Sequence, residues 1–211
     1  MAGTMMQVRN ASVIAMKASS ITVMLAMFFT TLAYTPAGAY DQAYSQASSD
    51  AVEVLELPPA RWLAAGATGR YFERSGMLFG QLFDFISSHD IEMTVPVEGR
   101  LDRAQMRFFL SPGPRAPGLS DSVKIVSKPK RSVARLGGSG SYSAQNIAPV
   151  RARVEAWIAQ HPTWQASGPA YAVFWNGPLT PWFLKRFEVH VTVERAEDAA
   201  RVSNIGKSGA S

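Results

Sequence analysis

The stretch Val52-Glu53-Val54-Leu55-Glu56-Leu57-Pro58-Pro59-Ala60-Arg61-Trp62 decides how this chain is read. Acidic and apolar residues interleave over 52–57, as on a strand with one wet face. Pro58 and Pro59 then break it, because neither can donate an N–H to a ladder. An extended apolar segment resumes over 62–67. Beyond it, Ser75 opens a run with apolar residues at Met77, Leu78, Leu82, Phe85 and Ile86, the spacing of one helix face. Strands are expected over 91–97 and 105–110.

The same order then returns. The Pro/Gly-rich stretch 111–122 (SPGPRAPGLSDS) reads as a loop. After it, a strand over 123–126 is broken by Pro129, resumes over 133–136 and ends in Gly137-Gly138-Ser139-Gly140. Ser143 is the expected N-cap of a helix carrying Ile147, Val150, Val154, Trp157 and Ile158 on one face. His161-Pro162 stops that helix, and strands over 170–175 and 187–194 complete the set. Each half is strand–helix–strand–strand, which predicts an α+β fold with one helix per half covering a shared sheet.

Composition narrows the chemistry. Of the 211 residues 47% are hydrophobic and 18% charged, enough for one ordinary core. Cysteine is absent, which excludes disulfides, thiolate metal sites and covalent haem attachment. His89, His161 and His190 are too scattered to form a metal-ligand motif, so no metal site is assigned. The formal charge is +5, but Arg9 and Lys17 lie in a first stretch of 39 residues that holds no acid. The remainder is only mildly basic, too little to argue for nucleic acid. Lys128, Lys130 and Arg131 are the densest basic cluster, interrupted by Pro129, and read as a solvated turn.

Residues 16–39 (MKASSITVMLAMFFTTLAYTPAGA) have a positive start at Lys17, an apolar stretch over 21–34 and a small-x-small cleavage site at Ala37-Gly38-Ala39. The apolar stretch is short of the roughly 20 residues a membrane span needs. Residues 1–39 are therefore expected to be a signal peptide, complete when counted from Met16. The product would be exported, and periplasmic if the source is a double-membrane bacterium, with no stable membrane insertion after cleavage. Residues 40–50 read as a flexible leader, 51–195 as the folded domain and 196–211 as a flexible tail.

At this point the residues resemble a known family, the SOUL/haem-binding proteins. The segment 52–62 resembles that family's opening strand and proline break. Ile91-Glu92-Met93-Thr94-Val95-Pro96-Val97 resembles its distinctive Met-Thr-x-Pro-Val strand, and Met106-Arg107-Phe108-Phe109-Leu110-Ser111-Pro112 the strand that follows. Trp182-Phe183-Leu184-Lys185-Arg186-Phe187-Glu188-Val189 resembles the basic turn leading into the last strand. The resemblance implies a twofold repeat forming a distorted antiparallel β-barrel with two helices, similar in plan to gyrase-inhibitor-like effector-binding domains. It also implies non-covalent binding of haem or a related porphyrin beside the first helix, by a monomeric carrier or buffer rather than a haem enzyme.

A tetrapyrrole needs a flat apolar wall and cations for its propionates. The expected wall is Met77, Leu78, Leu82, Phe85 and Ile86, with Phe79 and Phe83 adding apolar surface off that stripe. Lys185 and Arg186 stand where the family places a basic residue, and Arg74 is near the helix start. His89 is the one histidine near the helix that an iron could use, though the same position suits a helix-terminal cap. Other classes stay open: a module for different amphiphilic small molecules, or a partner-binding protein using Trp164, Trp175 and Trp182. A third is a hydrolase in which Glu188 and His190, two apart on one strand face, form an acid–base pair. The alternation around Glu188 and His190 otherwise reads as the wet face of that strand.

Overall fold

The computed structural model describes residues 41–112 and 122–199. The export segment, the central part of the Pro/Gly loop and the end of the tail lie outside the described residues. The elements run β1 (Asp41–Gln42), β2 (Glu53–Leu57), β3 (Ala60–Ala67), α1 (Tyr71–Ser88), β4 (Thr94–Val95), β5 (Val97–Arg100) and β6 (Ala104–Leu110). They continue with β7 (Val123–Lys128), β8 (Arg131–Ser139), α2 (Ala144–Gln160), β9 (Trp164–Ala166), β10 (Tyr171–Phe174), a 3-10 turn (Trp182–Leu184) and β11 (Arg186–Arg195). Helix α1 begins a turn before Ser75, because buried Tyr71 anchors its first turn in the core. Ser143 caps α2 as expected, accepting the Asn146 N–H at 3.3 Å. Among the described residues no helix is long and apolar enough to cross a membrane.

The large sheet is antiparallel in the order β2-β8-β11-β10-β5-β6-β3-β7, with β9 beside β11. Its end strands β2 and β7 do not pair with each other, so the expected closed barrel is corrected to an open sheet. Covalent continuity brings the two ends together instead. Leu57 faces Arg131 at the end of the β2·β8 ladder, and Ala60 faces Lys128 at the start of β3·β7. The register is the same on both sides, so these are two halves of one antiparallel pairing. It is interrupted where Pro58 and Pro59 lie opposite Pro129 and Lys130.

Side chains alternate across a sheet, and the two faces here have different tasks. One face packs under α1 and α2, with Leu63, Leu78, Leu82, Phe108, Leu136, Ile147, Val154, Phe187 and Val189 in its core. The other carries Tyr171, Val173 and Trp175, with Tyr44 against them. It also carries Glu98, Arg107, Arg135, Glu188 and His190, all buried.

Arg135, Glu188 and His190 are covered by the segment expected to be a flexible leader. Strand β1 pairs with β4 in parallel, Ala43 N–H donates to Val95 O at 3.0 Å, and Gly137 N–H donates to Ser48 O at 2.7 Å. Residues 41–50 are therefore a strap over the second face, held by hydrogen bonds that its polar composition does not announce. At the other end of the domain, Ala196 N–H donates to Thr163 O at 3.0 Å.

Candidate binding site

Helix α1 presents two apolar stripes. Leu78, Leu82, Phe85 and Ile86 face inward and are buried in the sheet–helix core, while Met77 is 44% exposed on the outer side. None of these five lines the cleft beside α1. A second stripe, Phe72, Ser75, Gly76 and Phe79, does: together with Tyr71, Val97, Met106, Tyr142, Phe174 and Lys185 it borders a shallow cleft of about 240 Å3. The stripe expected to form the ligand wall thus packs against the sheet, apart from exposed Met77, and a neighbouring face of the same helix borders the cleft. Phe79, expected to add apolar surface off that stripe, lies at the cleft.

The walls are rings fixed by one another. Tyr71 stacks on Phe174 with centroids 5.9 Å apart, Tyr142 leans on Phe174 at 4.6 Å, and Phe79 packs edge-on to Phe108 at 5.4 Å. The Tyr142 hydroxyl donates to Arg186 O and accepts the Asn176 N–H, both at 3.0 Å. Burial pushes its pKa up to about 12, so the phenol stays neutral and holds the strand end in place. At Gly76 an added Cβ would meet nothing within 4 Å, which leaves the helix side of the cleft open.

Lys185 supplies the charge. Its Nζ sits 5.0 Å over the Tyr142 ring and donates to Pro178 O at 3.2 Å. Between Pro178 and Lys185 the chain carries Leu179, Trp182, Phe183 and Leu184, all largely exposed, so an apolar rim adjoins the basic end of the cleft. Arg186 contributes its backbone, whose N–H donates to Asn176 Oδ1 at 2.7 Å, and it borders a separate polar cleft with Gly138 and Glu188.

The histidines lie elsewhere. His89 caps α1, its ring stacked 4.2 Å from Phe85 and its Nδ1 2.8 Å from Phe85 O, and it does not line the cleft. His161 does the same for α2 on Trp157. Residues able to carry a flat ring and one anionic group are therefore present beside α1, with no imidazole among them. Among the described residues no group of three or more His, Cys, Asp or Glu is placed to hold a metal ion.

Glu188 and His190 form the pair their spacing suggested, Nε2 to Oε2 at 2.6 Å, but on a buried face rather than a wet one. Glu188 also accepts the Trp175 Nε1–H at 2.7 Å and the Ala47 N–H at 2.6 Å, and lies 3.5 Å from Arg135. Burial lowers the pKa of His190, so the ring is a neutral donor to a carboxylate. Burial also opposes the charge on Glu188, but these donors and Arg135 together hold its pKa below the ordinary value. The pair ties the strap down, and Glu188 also stands at the edge of the polar cleft beside Arg186.

Comparison with known proteins places this geometry in context. The family model described as SOUL heme-binding protein matches residues 39–192. No curated protein sequence matches the chain. Among solved structures, the EcmrR C-terminal domain is similar with a TM-score of 0.55 at 9% identity, over 69% of this chain and 98% of that one. A longer chain from the EcmrR–DNA complex gives the same TM-score and identity, and this chain spans 58% of its length. An uncharacterized conserved protein from Listeria innocua gives 0.50 at 12% identity, over 70% and 94%. At such identities the shared property is the fold.

Proposed function

The chain belongs to the SOUL heme-binding protein family, and on that premise we propose that it binds haem or a related tetrapyrrole non-covalently in the cleft beside α1. The observation that carries this reading is Lys185 at the edge of an aromatic cleft left open at Gly76. The rings of Phe72, Phe79 and Tyr142 offer the macrocycle an apolar wall. Lys185 offers a propionate its cation, and the exposed Trp182-Phe183 rim can fold over the ring's outer edge.

The role is that of a carrier or buffer, and a monomer suffices because the cleft is built within one chain. Export is part of the same proposal, resting on the 16–39 segment, which would put the carrier in a periplasm or outside the cell. The twofold reading of the fold belongs here too: β3·β6·β5 in the first half is matched by β8·β11·β10 in the second, with β5 and β10 paired at the junction.

The experiment is a haemin titration of the chain followed by Soret absorbance, with iron-free protoporphyrin in parallel. Saturable one-to-one binding of both is expected, because ring and propionates are what the cleft reads. Binding of haemin alone, with a sharp ligand-field shift, would mean that the iron rather than the ring and propionates is read, and would overturn this account of the cleft. Binding of neither would overturn the function.

A further inference from the structure

A second cleft, larger than the one beside α1, lies elsewhere. It opens where the paired strands are interrupted, about 710 Å3 in volume, walled by Leu57, Pro58, Pro59 and Ala60 on one side and Ser127, Lys128 and Arg131 on the other. Its cause is local chemistry. Prolines cannot continue a ladder, and here Pro58-Pro59 and Pro129 stand opposite each other, so the sheet parts between Leu57·Arg131 and Ala60·Lys128.

The inner end of this cleft is unbalanced in charge. Glu98, 1% exposed, is in contact with Lys128 and lies 3.3 Å from Arg107 and 3.5 Å from Arg131. Among the described residues that is one carboxylate against three cations, and the Lys128 and Arg131 side chains are only 13% and 11% exposed. Burial pulls Lys128 down to about 8 even with Glu98 beside it. Ions so far from water require counter-charges.

Hydrogen-bonding capacity is also left over. Arg131 Nη1, Trp62 Nε1 and Tyr44 Oη are buried with no partner among the described residues, and all three residues line the cleft. Native proteins rarely leave such groups unmade unless something else completes them. The remaining wall is apolar: Trp62 packs edge-on to Phe109 at 5.6 Å, with Leu57, Leu110 and the prolines around them.

We infer that the cleft at the proline breaks is a second ligand site, taking a carboxylate carried on an apolar body. The carboxylate meets Lys128 and Arg131 and accepts from the unpartnered donors, while the body lies against Trp62, Phe109 and Leu57. The surplus positive charge selects against cations, and the buried donors select against neutral analogues, which leave them unmatched. This site is on the opposite face of the sheet from the α1 cleft and does not depend on the reading given for that cleft.

The test is calorimetric titration of the chain with 2-naphthoate and dodecanoate, and with their neutral amides. One-to-one binding of at least one acid is expected, with its amide weaker by tenfold or more. Lys128→Met should weaken the acid at least tenfold. Ala60→Trp, which fills the cleft and leaves every buried ion in place, should abolish binding even if Lys128→Met disturbs folding. Neither variant should alter haemin affinity, and Lys185→Glu should leave the acid untouched. Equal binding of acid and amide, failure of both acids, or persistence in Ala60→Trp would overturn the proposal. So would haemin displacing the acid with both lost in Lys128→Met, which would make the break cleft the tetrapyrrole site. Loss of haemin binding alone in Lys185→Glu concerns only the α1 cleft.

Discussion

The backbone N–H of Ala47 donates to Glu188 Oε1 at 2.6 Å, joining positions 141 apart in the sequence. That contact is the centre of a buried knot: the same carboxylate also serves Trp175 and His190 and faces Arg135, whose Nη1 donates to Ser45 O at 2.6 Å. Glu188→Ala removes the shared acceptor and leaves Arg135 without its buried counter-charge. The expected loss is about 3–5 kcal/mol, read by urea unfolding, together with faster proteolysis within 41–50. A loss below about 1 kcal/mol would show that the strap is held elsewhere.

Stability should fall on the acid side in two stages. The groups facing His190 are Glu188, Arg135, Tyr44 and Tyr171, and burial keeps its folded pKa below the ordinary 6.5. The unfolded chain therefore binds a proton that the folded one refuses, and stability drops as pH falls below 6.5, by up to about 1.4 kcal/mol per pH unit. Glu98 and Glu188 are depressed despite burial, by Lys128 and Arg131 in one case and by His190 and Ala47 in the other. Their contribution is present above the ordinary carboxylate value and is lost below it. Urea midpoints at pH 7.5, 5.5 and 3.5 check both stages, and His190→Gln should flatten the first.

Glycines in the chain divide by what surrounds them. Gly76 and Gly80 lie within α1, where an added Cβ meets nothing within 4 Å, so Gly80→Ala should stabilise by about 0.5–1 kcal/mol through helix propensity alone. At Gly99 the added Cβ would sit 2.4 Å from the Tyr71 ring. Gly99→Ala should destabilise by about 1–3 kcal/mol through overpacking. Thermal unfolding of the two variants should move in opposite directions.

Ligand affinity at the α1 cleft should follow the face that lines it. Gly76→Trp fills the open side and Lys185→Glu reverses the charge, and each is expected to weaken haemin at least tenfold, about 1.4 kcal/mol. Met77→Ser, on the exposed outer side, should leave affinity within twofold. Absorbance titrations of the three variants beside the parent chain settle the point, and equal affinities in all would move the ligand off this cleft.

Much of this was legible in advance because it is local. The strands over 105–110 and 187–194, the cap at Ser143 and the proline breaks each follow from neighbours a few residues away. The succession of strands and helices was readable for the same reason. Of the residues expected at the site, Lys185 stands at the cleft beside α1, while Leu78, Leu82, Phe85 and Ile86 are buried against the sheet. Periodicity locates apolar stripes on a helix without saying which one the sheet takes, and α1 has two.

By itself, then, the sequence determined the succession of elements, the places where strands must break and the family to which the chain belongs. Only the tertiary structure decided that the polar segment 41–50 covers the second face of the sheet, so that Glu188 and His190 are buried rather than wet. It also decided that Lys128 and Arg131, a solvated turn by composition, converge on Glu98 beneath a cleft. The reason is one of range. Backbone preference and amphipathic spacing act within a turn or two of the chain, whereas the solvation of a charge depends on whichever distant segment closes over it.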